Sequence, residues 1–342
     1  MKKFLALLLA LAMTLSLVAC GGNTGADQNN DADAGDGEKV YKVGMICDSS
    51  INDGGWGAAC YNAMVAACEK MGWEYEVTDS IAQDAYYDSI VAYCTLGYDM
   101  IYAPGNQYTD AVLQAAEEYP DVAFALLNGA EKTPDEAVNK NVSSLLPNAQ
   151  QIGWIAGALA GLMTESGKVG YVGGGNNTTQ QSDKNAFIEG VASVDPSVEV
   201  KTVITGTFDD SALGKETAIA MMEDGVDVIL QTCDHTGLGV LEACSENGVY
   251  CLGYTTDQST LVSDGLCLTS MLIDIPYMIS SQIDLIKAGG YGGQSFPGLH
   301  DGVVSMADFS DKVPADVAEQ VNAVVDQIKS GDLVITPNYS EN

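Results

Sequence analysis

Val43 to Gly57 reads VGMICDSSINDGGWG. It opens as a short apolar run, Val43 to Cys47, and then changes character abruptly. Asp48, Ser49, Ser50, Asn52 and Asp53 bring hydrogen-bonding side chains, Gly54, Gly55 and Gly57 bring backbone freedom, and Trp56 brings one large aromatic surface. A buried strand that runs into a Gly-rich polar turn and then a helix is how α/β proteins present ligand groups, at the carboxyl ends of parallel strands. Carboxylates in such a turn accept hydrogen bonds, and a flat ring stacks on another. The phosphate-loop pattern GxxxxGK[ST] is absent and no nucleophile stands beside a base. The stretch predicts a site for a small, polar, ring-bearing molecule.

Downstream, helix and strand patterns alternate almost without a break. Strands are predicted at Glu74 to Val77, Met100 to Ala103, Val122 to Leu127 and Val142 to Leu145, with helices at Ala58 to Met71, Asp84 to Thr95 and Asp110 to Glu118. After a long Ala- and Gly-rich helix, Ala149 to Met163, the pattern restarts. Strands Lys168 to Val172, Val198 to Ile204, Val226 to Gln231 and Tyr250 to Tyr254 alternate with helices Asp183 to Ala192, Ala212 to Met222 and Leu238 to Glu246. Strand Cys267 to Ile273 and helices Pro276 to Lys287 and Ala315 to Ile328 complete the chain. Two such runs predict an α/β protein of two doubly wound parallel-sheet lobes. The first is expected to hold residues 40–148 plus about 256–290, the second 149–255 plus about 291–336. Strand-end turns of facing lobes line a cleft, which places Asp48 to Trp56, Asn106, Asn128, Asn176, Phe208, Asp234 and Asp257 in one neighbourhood.

The N-terminus reads as an address. Lys2 and Lys3 precede an apolar run, Phe4 to Val18, of signal-peptide length and short of the roughly 20 residues that span a bilayer. Leu17-Val18-Ala19-Cys20 then has the form of a bacterial lipobox. Residues 1–19 are therefore expected to be a lipoprotein signal peptide and Cys20 the lipid anchor. Residues 20–39 hold no large apolar side chain before Val40 and several acids, so they are expected to form a disordered tether. As a flexible chain, its ~17 central residues reach about 20–25 Å. The expected location is the extracytoplasmic face of the cell membrane.

The formal charge is -33, with 47 acids against 14 Lys and Arg. Spread along the chain rather than blocked, these acids read as a soluble surface and argue against nucleic acid or anionic lipid as attracted partners. Besides Cys20, eight cysteines remain, none in a CxxC pair, so zinc-ribbon spacing is absent. Most lie in apolar strand or helix contexts and read as buried free thiols. Cys233-x-His235 offers two ligands, too few for a metal site, and no cofactor is expected.

Several stretches resemble the basic membrane protein family of bacterial lipoproteins, the purine nucleoside receptor A-like substrate-binding proteins of ABC transporters. ICDSSINDGGWGAACYNAM is similar to the family's opening segment, and YDMIYAPGNQYTDAVLQAAEEYPDVAFALLNGA to its next two strand–helix units. NVSSLLPNAQQIGWIAGALAGLMTESGKVGYVGG, FDDSALGKETAIAMMEDGVDVILQTCDHTGLGV, GYTTDQ and CLTSML follow in the family's order. The resemblance covers nearly the whole body and rests on the ordered set rather than on one motif. It implies a type I periplasmic-binding fold, a purine nucleoside held between two aromatic rings, and a sugar held by carboxylates and a lysine. Trp56 stands at the first-lobe stacking position and Phe208 at the second, and Asp48, Asp53 and Asp257 match family acids. Two positions depart. Asn128 stands where the family usually has Asp, and Ile273 where many members have Lys. The paired loss weakens a ribose clamp, so a free base, a modified nucleoside or another flat heterocycle fits as well.

Each candidate also has a purely structural reading: Trp56 as a core residue at a helix start, Phe208 packed inside its lobe, Asp48 and Asp257 as caps, Gly173-Gly174-Gly175 as a tight turn. The expected function is a monomeric, non-enzymatic substrate-binding lipoprotein. It would capture a nucleoside-like molecule through Asp48, Asp53, Trp56, Asn106, Asn128, Phe208, Asp234 and Asp257 and pass it to an ABC permease. A sugar receptor of the same fold is the alternative, since Trp stacks equally well on a pyranose. A nucleoside hydrolase-like enzyme using the carboxylates and a receptor that signals without transport are the others.

Overall fold

A computed structural model describes residues 39–52, 55–129 and 140–340. Cys20, the expected tether and Asp53 lie outside the described residues. The body from Val40 onward alternates strand and helix as the apolar pattern demands. Its first half comprises β1 (Lys42–Ile46), α1 (Trp56–Met71), β2 (Glu74–Thr78), α2 (Tyr86–Thr95), β3 (Met100–Pro104), α3 (Thr109–Glu118), β4 (Ala123–Leu127) and β5 (Val142–Leu145). There follow α4 (Gln150–Met163), β6 (Lys168–Gly173), α5 (Thr178–Val194), β7 (Glu199–Ile204), α6 (Ser211–Glu223), β8 (Val228–Thr232), α7 (Asp234–Asn247), β9 (Tyr250–Thr255) and β10 (Cys267–Ile273). The chain closes with α8 (Ile275–Lys287), β11 (Gly293–Ser295), β12 (Val304–Met306) and α9 (Ala315–Ser330).

Among the described residues the strands form two six-stranded sheets, in the orders β11-β5-β4-β3-β1-β2 and β12-β10-β9-β8-β6-β7. Every pairing is parallel except that of β10 with β12. In each sheet the chain order reverses once, beside β1 and beside β6. Such a switch point is where the carboxyl edge opens a crevice, so the turns after β1, β3, β6 and β8 are the ones placed to meet a ligand.

Alternation within β1 shows why the sheet is covered on both sides. Val43, Met45 and Cys47 point into a core built with Cys60, Met64 and Cys68 of α1 and Met278, Ile279 and Ile283 of α8. Ile46 points the other way, into a core with Ile90 and Tyr93 of α2 and Val112 of α3. The second sheet is sandwiched likewise, by α4, α5 and α9 on one face and by α6 and α7 on the other. All eight body cysteines are buried, and none of them is in a disulfide.

The division of the C-terminal part differs from the expected one. β10 belongs to the second sheet, held by β9 and β12, so the chain re-enters the first lobe only at α8; β11 belongs to the first sheet. The crossovers therefore fall after β5, after β10 and after β11. Ile273, at the end of β10, packs against the cores of both lobes, which suits an apolar side chain at that position better than a lysine. Two helices begin a full turn or more before their apolar periodicity indicates. α5 starts at Thr178 because the Asn177 side chain accepts the Gln180 amide (3.0 Å), and α7 starts at Asp234 rather than Leu238.

α4 and α5 approach closely through glycine. A Cβ on Gly157 would lie 2.0 Å from the carbonyl oxygen of Phe187, a distance no side chain tolerates without moving a helix. In an exposed helix Gly→Ala is stabilising by about 1 kcal/mol. Here Gly157→Ala is expected to cost ~1–3 kcal/mol in urea unfolding, and a gain in stability would remove the contact as the cause.

Candidate functional site

The first lobe presents an oriented carboxylate. Asp48 directly follows the buried end of β1. Its Oδ1 accepts the Tyr108 hydroxyl (2.9 Å), and its Oδ2 accepts the Tyr86 hydroxyl (3.1 Å) and the Gln107 amide (2.9 Å), while the side chain stays exposed. Burial, and then the charge of Asp48, push both phenols well above the usual tyrosine range, so both remain donors. Trp56 opens α1 and is half-buried; its indole N–H donates to the Pro104 carbonyl (2.7 Å) at the end of β3 and its ring packs against the first-lobe core. Asn106 opens the next turn, where its carbonyl accepts the Thr109 hydroxyl (2.6 Å). The β3 exit thus ties Asp48, Trp56 and Asn106 together.

Phe208 forms the matching feature of the second lobe. Its ring lies across the turn after β6: a Cβ on Gly174 would sit 2.3 Å from the ring, and one on Gly175 2.9 Å. Glycine is required there because the ring rests on bare backbone, and Phe208 is still 37% exposed. Its carbonyl accepts the Thr236 amide (3.1 Å), which fixes it beside the start of α7 and Asp234. Asp257 is exposed and accepts the Ser259 amide (3.0 Å), so it caps its own turn. Asn128 adopts a left-handed backbone (φ 55°), which Asn tolerates better than most residues. It also touches the other lobe, where the Thr179 hydroxyl donates to its Oδ1 at 3.5 Å. Cys233 is buried in the second-lobe core below α7.

Between α1 and the ends of β8 and β9 lies a cavity of about 260 Å³. Gly55, Ala58, Ala59 and Asn62 form its first-lobe wall; Asp234, Tyr254, Thr255 and Thr256 are on the opposite wall, with Gln231 and Gln258. The two glutamines are joined, Gln231 Nε2 donating to Gln258 Oε1 (2.7 Å), and that oxygen also accepts the Tyr254 amide (3.0 Å). Thr255 holds φ at 70°. A β-branched residue pays for that geometry in strain, and such outliers gather at ligand clamps. Of the expected residues, Asp234 lines this cavity directly, and Trp56 and Asp257 flank lining residues. Asn62, Gln231, Tyr254, Thr255 and Gln258 were not singled out beforehand; among them only Gln231, a buried amide at the end of an otherwise apolar strand, carries a signal in sequence.

Residues 40–338 match the model of the Bmp family, described as ABC transporter substrate-binding protein PnrA-like. The chain belongs to this family. Relatives of this PnrA-like chain include the transcriptional activator protein Med of Bacillus subtilis, 27% identical over 299 residues that cover 86% of this chain and 91% of that protein. A purine-binding protein of Brucella abortus is 27% identical over 300 residues, covering 86% and 83%. Among solved structures, a solute-binding protein of an ABC transporter system from Aeropyrum pernix superposes with a TM-score of 0.78 at 20% identity, covering 88% of this chain and 94% of that one. The PnrA-like fold is thus the two-lobed α/β architecture expected from the sequence. The family is one of extracytoplasmic substrate-binding receptors rather than enzymes, with a small-molecule ligand and a permease as partners. Among the described residues no helix is long and apolar enough to cross a membrane.

One carboxyl of this PnrA-like chain is held apart from water. Asp183, in the second turn of α5, is 1% exposed; its Oδ2 accepts the Tyr254 hydroxyl, which reaches over from the cavity wall. Burial raises Asp183 from the ordinary 3.8 to about 7, against the hydrogen bond from Tyr254, which lowers it. The folded chain keeps this proton at pH values where the unfolded chain has lost it, so stability falls as pH rises from about 4 toward 7. Asp183→Asn is expected to flatten that fall and to raise stability at pH 8 by on the order of a few kcal/mol, read by urea unfolding at pH 5 and pH 8. Equal pH dependence in the parent and the variant would place the titration elsewhere.

Proposed function

We propose that this PnrA-like receptor is anchored to the membrane through a lipidated Cys20 and captures a purine nucleoside, or a related flat heterocycle, between its lobes for delivery to the permease. The observation that carries the reading is Phe208, a large ring fixed over Gly174 and Gly175 with more than a third of its surface open, at the edge of the second lobe where α7 begins. A ring so placed is a stacking platform, and base–aromatic stacking contributes about 1–3 kcal/mol while tolerating changes in the base. In this reading Trp56 supplies the facing ring. Asp48, pre-oriented by three donors, accepts hydrogen bonds from ligand hydroxyl or N–H groups. Asp53, Asn106, Asn128, Asp234 and Asp257 hold the remaining polar edge. Lobe closure completes the site, and a ligand that contacts both lobes shifts the population toward the closed form. The purine-binding relative from Brucella supports this ligand class.

A thermal-shift panel of inosine, guanosine, adenosine, their free bases and glucose tests the ligand. Purine nucleosides or bases are expected to raise the melting temperature, in line with about 2.7 kcal/mol at a hundredfold excess over Kd. Phe208→Ala should weaken that binding by ~1–3 kcal/mol with the fold retained by circular dichroism. A response to glucose alone, or full affinity in Phe208→Ala, would defeat the nucleoside reading. For the anchor, Cys20→Ser is expected to move the protein from the membrane pellet to the soluble fraction; an unchanged pellet would remove Cys20 as the lipid site.

A further inference from the structure

A second cavity, also about 260 Å³, lies at the hinge and shares no lining residue with the first. Leu146 and Pro147 of the crossover after β5 form one side, Phe296 of the crossover after β11 another, and the start of α5 a third. The C-terminal tail closes it with Pro337 and Tyr339, and is itself fastened to α5 by Asn185, whose side-chain amide donates to the carbonyls of Asn338 (2.8 Å) and Ser340 (2.9 Å). Two aromatic rings and two prolines thus give an apolar, flat-walled space.

The polar groups in that space are unusual. Among the described residues six buried side-chain polar atoms have no partner in the protein, and three of them, Asp183 Oδ1, Ser182 Oγ and Gln294 Nε2, belong to residues lining this cavity. Asp183 and Ser182 are 1% and 4% exposed. Native proteins pair the large majority of such groups, and an unpaired buried carboxyl oxygen is costly. An acceptor on α5 and a donor on β11, set between apolar walls, are complementary to an amide. We propose that the hinge cavity is a second binding site, for a small ring compound that carries a primary amide or an equivalent neighbouring N–H donor and carbonyl acceptor. With Asp183 ionised, its Oδ1 accepts the ligand N–H, the ligand carbonyl accepts Gln294 Nε2, and the ring packs against Phe296 and Tyr339. Since the other oxygen of Asp183 holds Tyr254, a wall of the first cavity, occupancy of the hinge is transmitted to the cleft through one carboxyl group.

The test uses benzamide as the probe, with N,N-dimethylbenzamide, which lacks the donor, and benzoate, which lacks it and adds a negative charge. In calorimetric titration of the full chain at pH 8, where Asp183 is ionised, benzamide is expected to bind at least tenfold more tightly than either analogue. A crystal grown with benzamide should show it in the hinge cavity with its nitrogen on Asp183. Gln294→Leu and Asp183→Leu should each weaken binding at least tenfold; circular dichroism checks their folding, and Gln294→Leu decides if the buried substitution does not fold. Equal binding of the three probes, benzamide found in the first cavity, water alone at the hinge, or parental affinity in folded Gln294→Leu would each overturn the site.

Discussion

Burial of the central strands on both faces is the constraint on which this molecule depends. β1 has an apolar core on either side, so its side chains are committed to packing and none is left to meet a ligand. Polar groups are displaced to the residues that follow the strand, where the backbone leaves the sheet. Asp48 is the first of them, and it follows Cys47, which is 2% exposed. The same displacement recurs at Asn106, Asn128, Asp234 and Thr255, each at or just beyond the end of a strand. Three of these, Asn128, Asp234 and Thr255, carry the left-handed backbone that a sharp exit from a buried strand demands. Specificity in this architecture is a property of turns held by a rigid sheet, and the strain of the turns is borne by the core beneath them.

The hinge follows from the same economy of packing. Three crossovers join the lobes, and Ile273 lies where the two cores meet. A lysine there would have to leave its ammonium in an apolar junction or bend out of it. The chain instead uses the position for cohesion, and its polar hinge groups come from α5 and β11.

Much of the fold was legible because buried parallel strands are written as apolar runs of four to six residues between turn residues. Where the writing is polar, it failed. Gln180 to Asn185 are six consecutive polar residues, all buried, so the first turns of α5 carry no apolar stripe and the helix seemed to begin at Asp183. β11, Gly293–Ser295, has no side-chain pattern at all and exists because β5 leaves an edge for it. That strand moved the lobe boundary. Of the candidate site residues, Asp48, Trp56, Phe208 and Asp234 were visible as polar or aromatic residues in strand-end turns, and of these four Asp234 lines the cavity. Tyr254 was not visible, since a residue inside a strand reads as structure until the cavity beside it is known, and Gln231 showed only as an amide near the end of an apolar strand. The open face of Phe208 became visible only through Gly174 and Gly175, whose missing side chains leave room for it.

The eight buried thiols have a consequence for how this protein must come into being. Burial pushes Cys94 up to about 11 and Cys68 up to about 12, and Cys233 higher still, so these three hold almost no thiolate in the folded chain. Thiol–disulfide exchange proceeds through the thiolate, so burial shields these three from exchange in an oxidising compartment. The unfolded chain has no such shelter. Each thiol is then an ordinary one, and eight of them allow many wrong pairings. Export into an oxidising space becomes a race between packing and oxidation, and the close-packed core is what ends it.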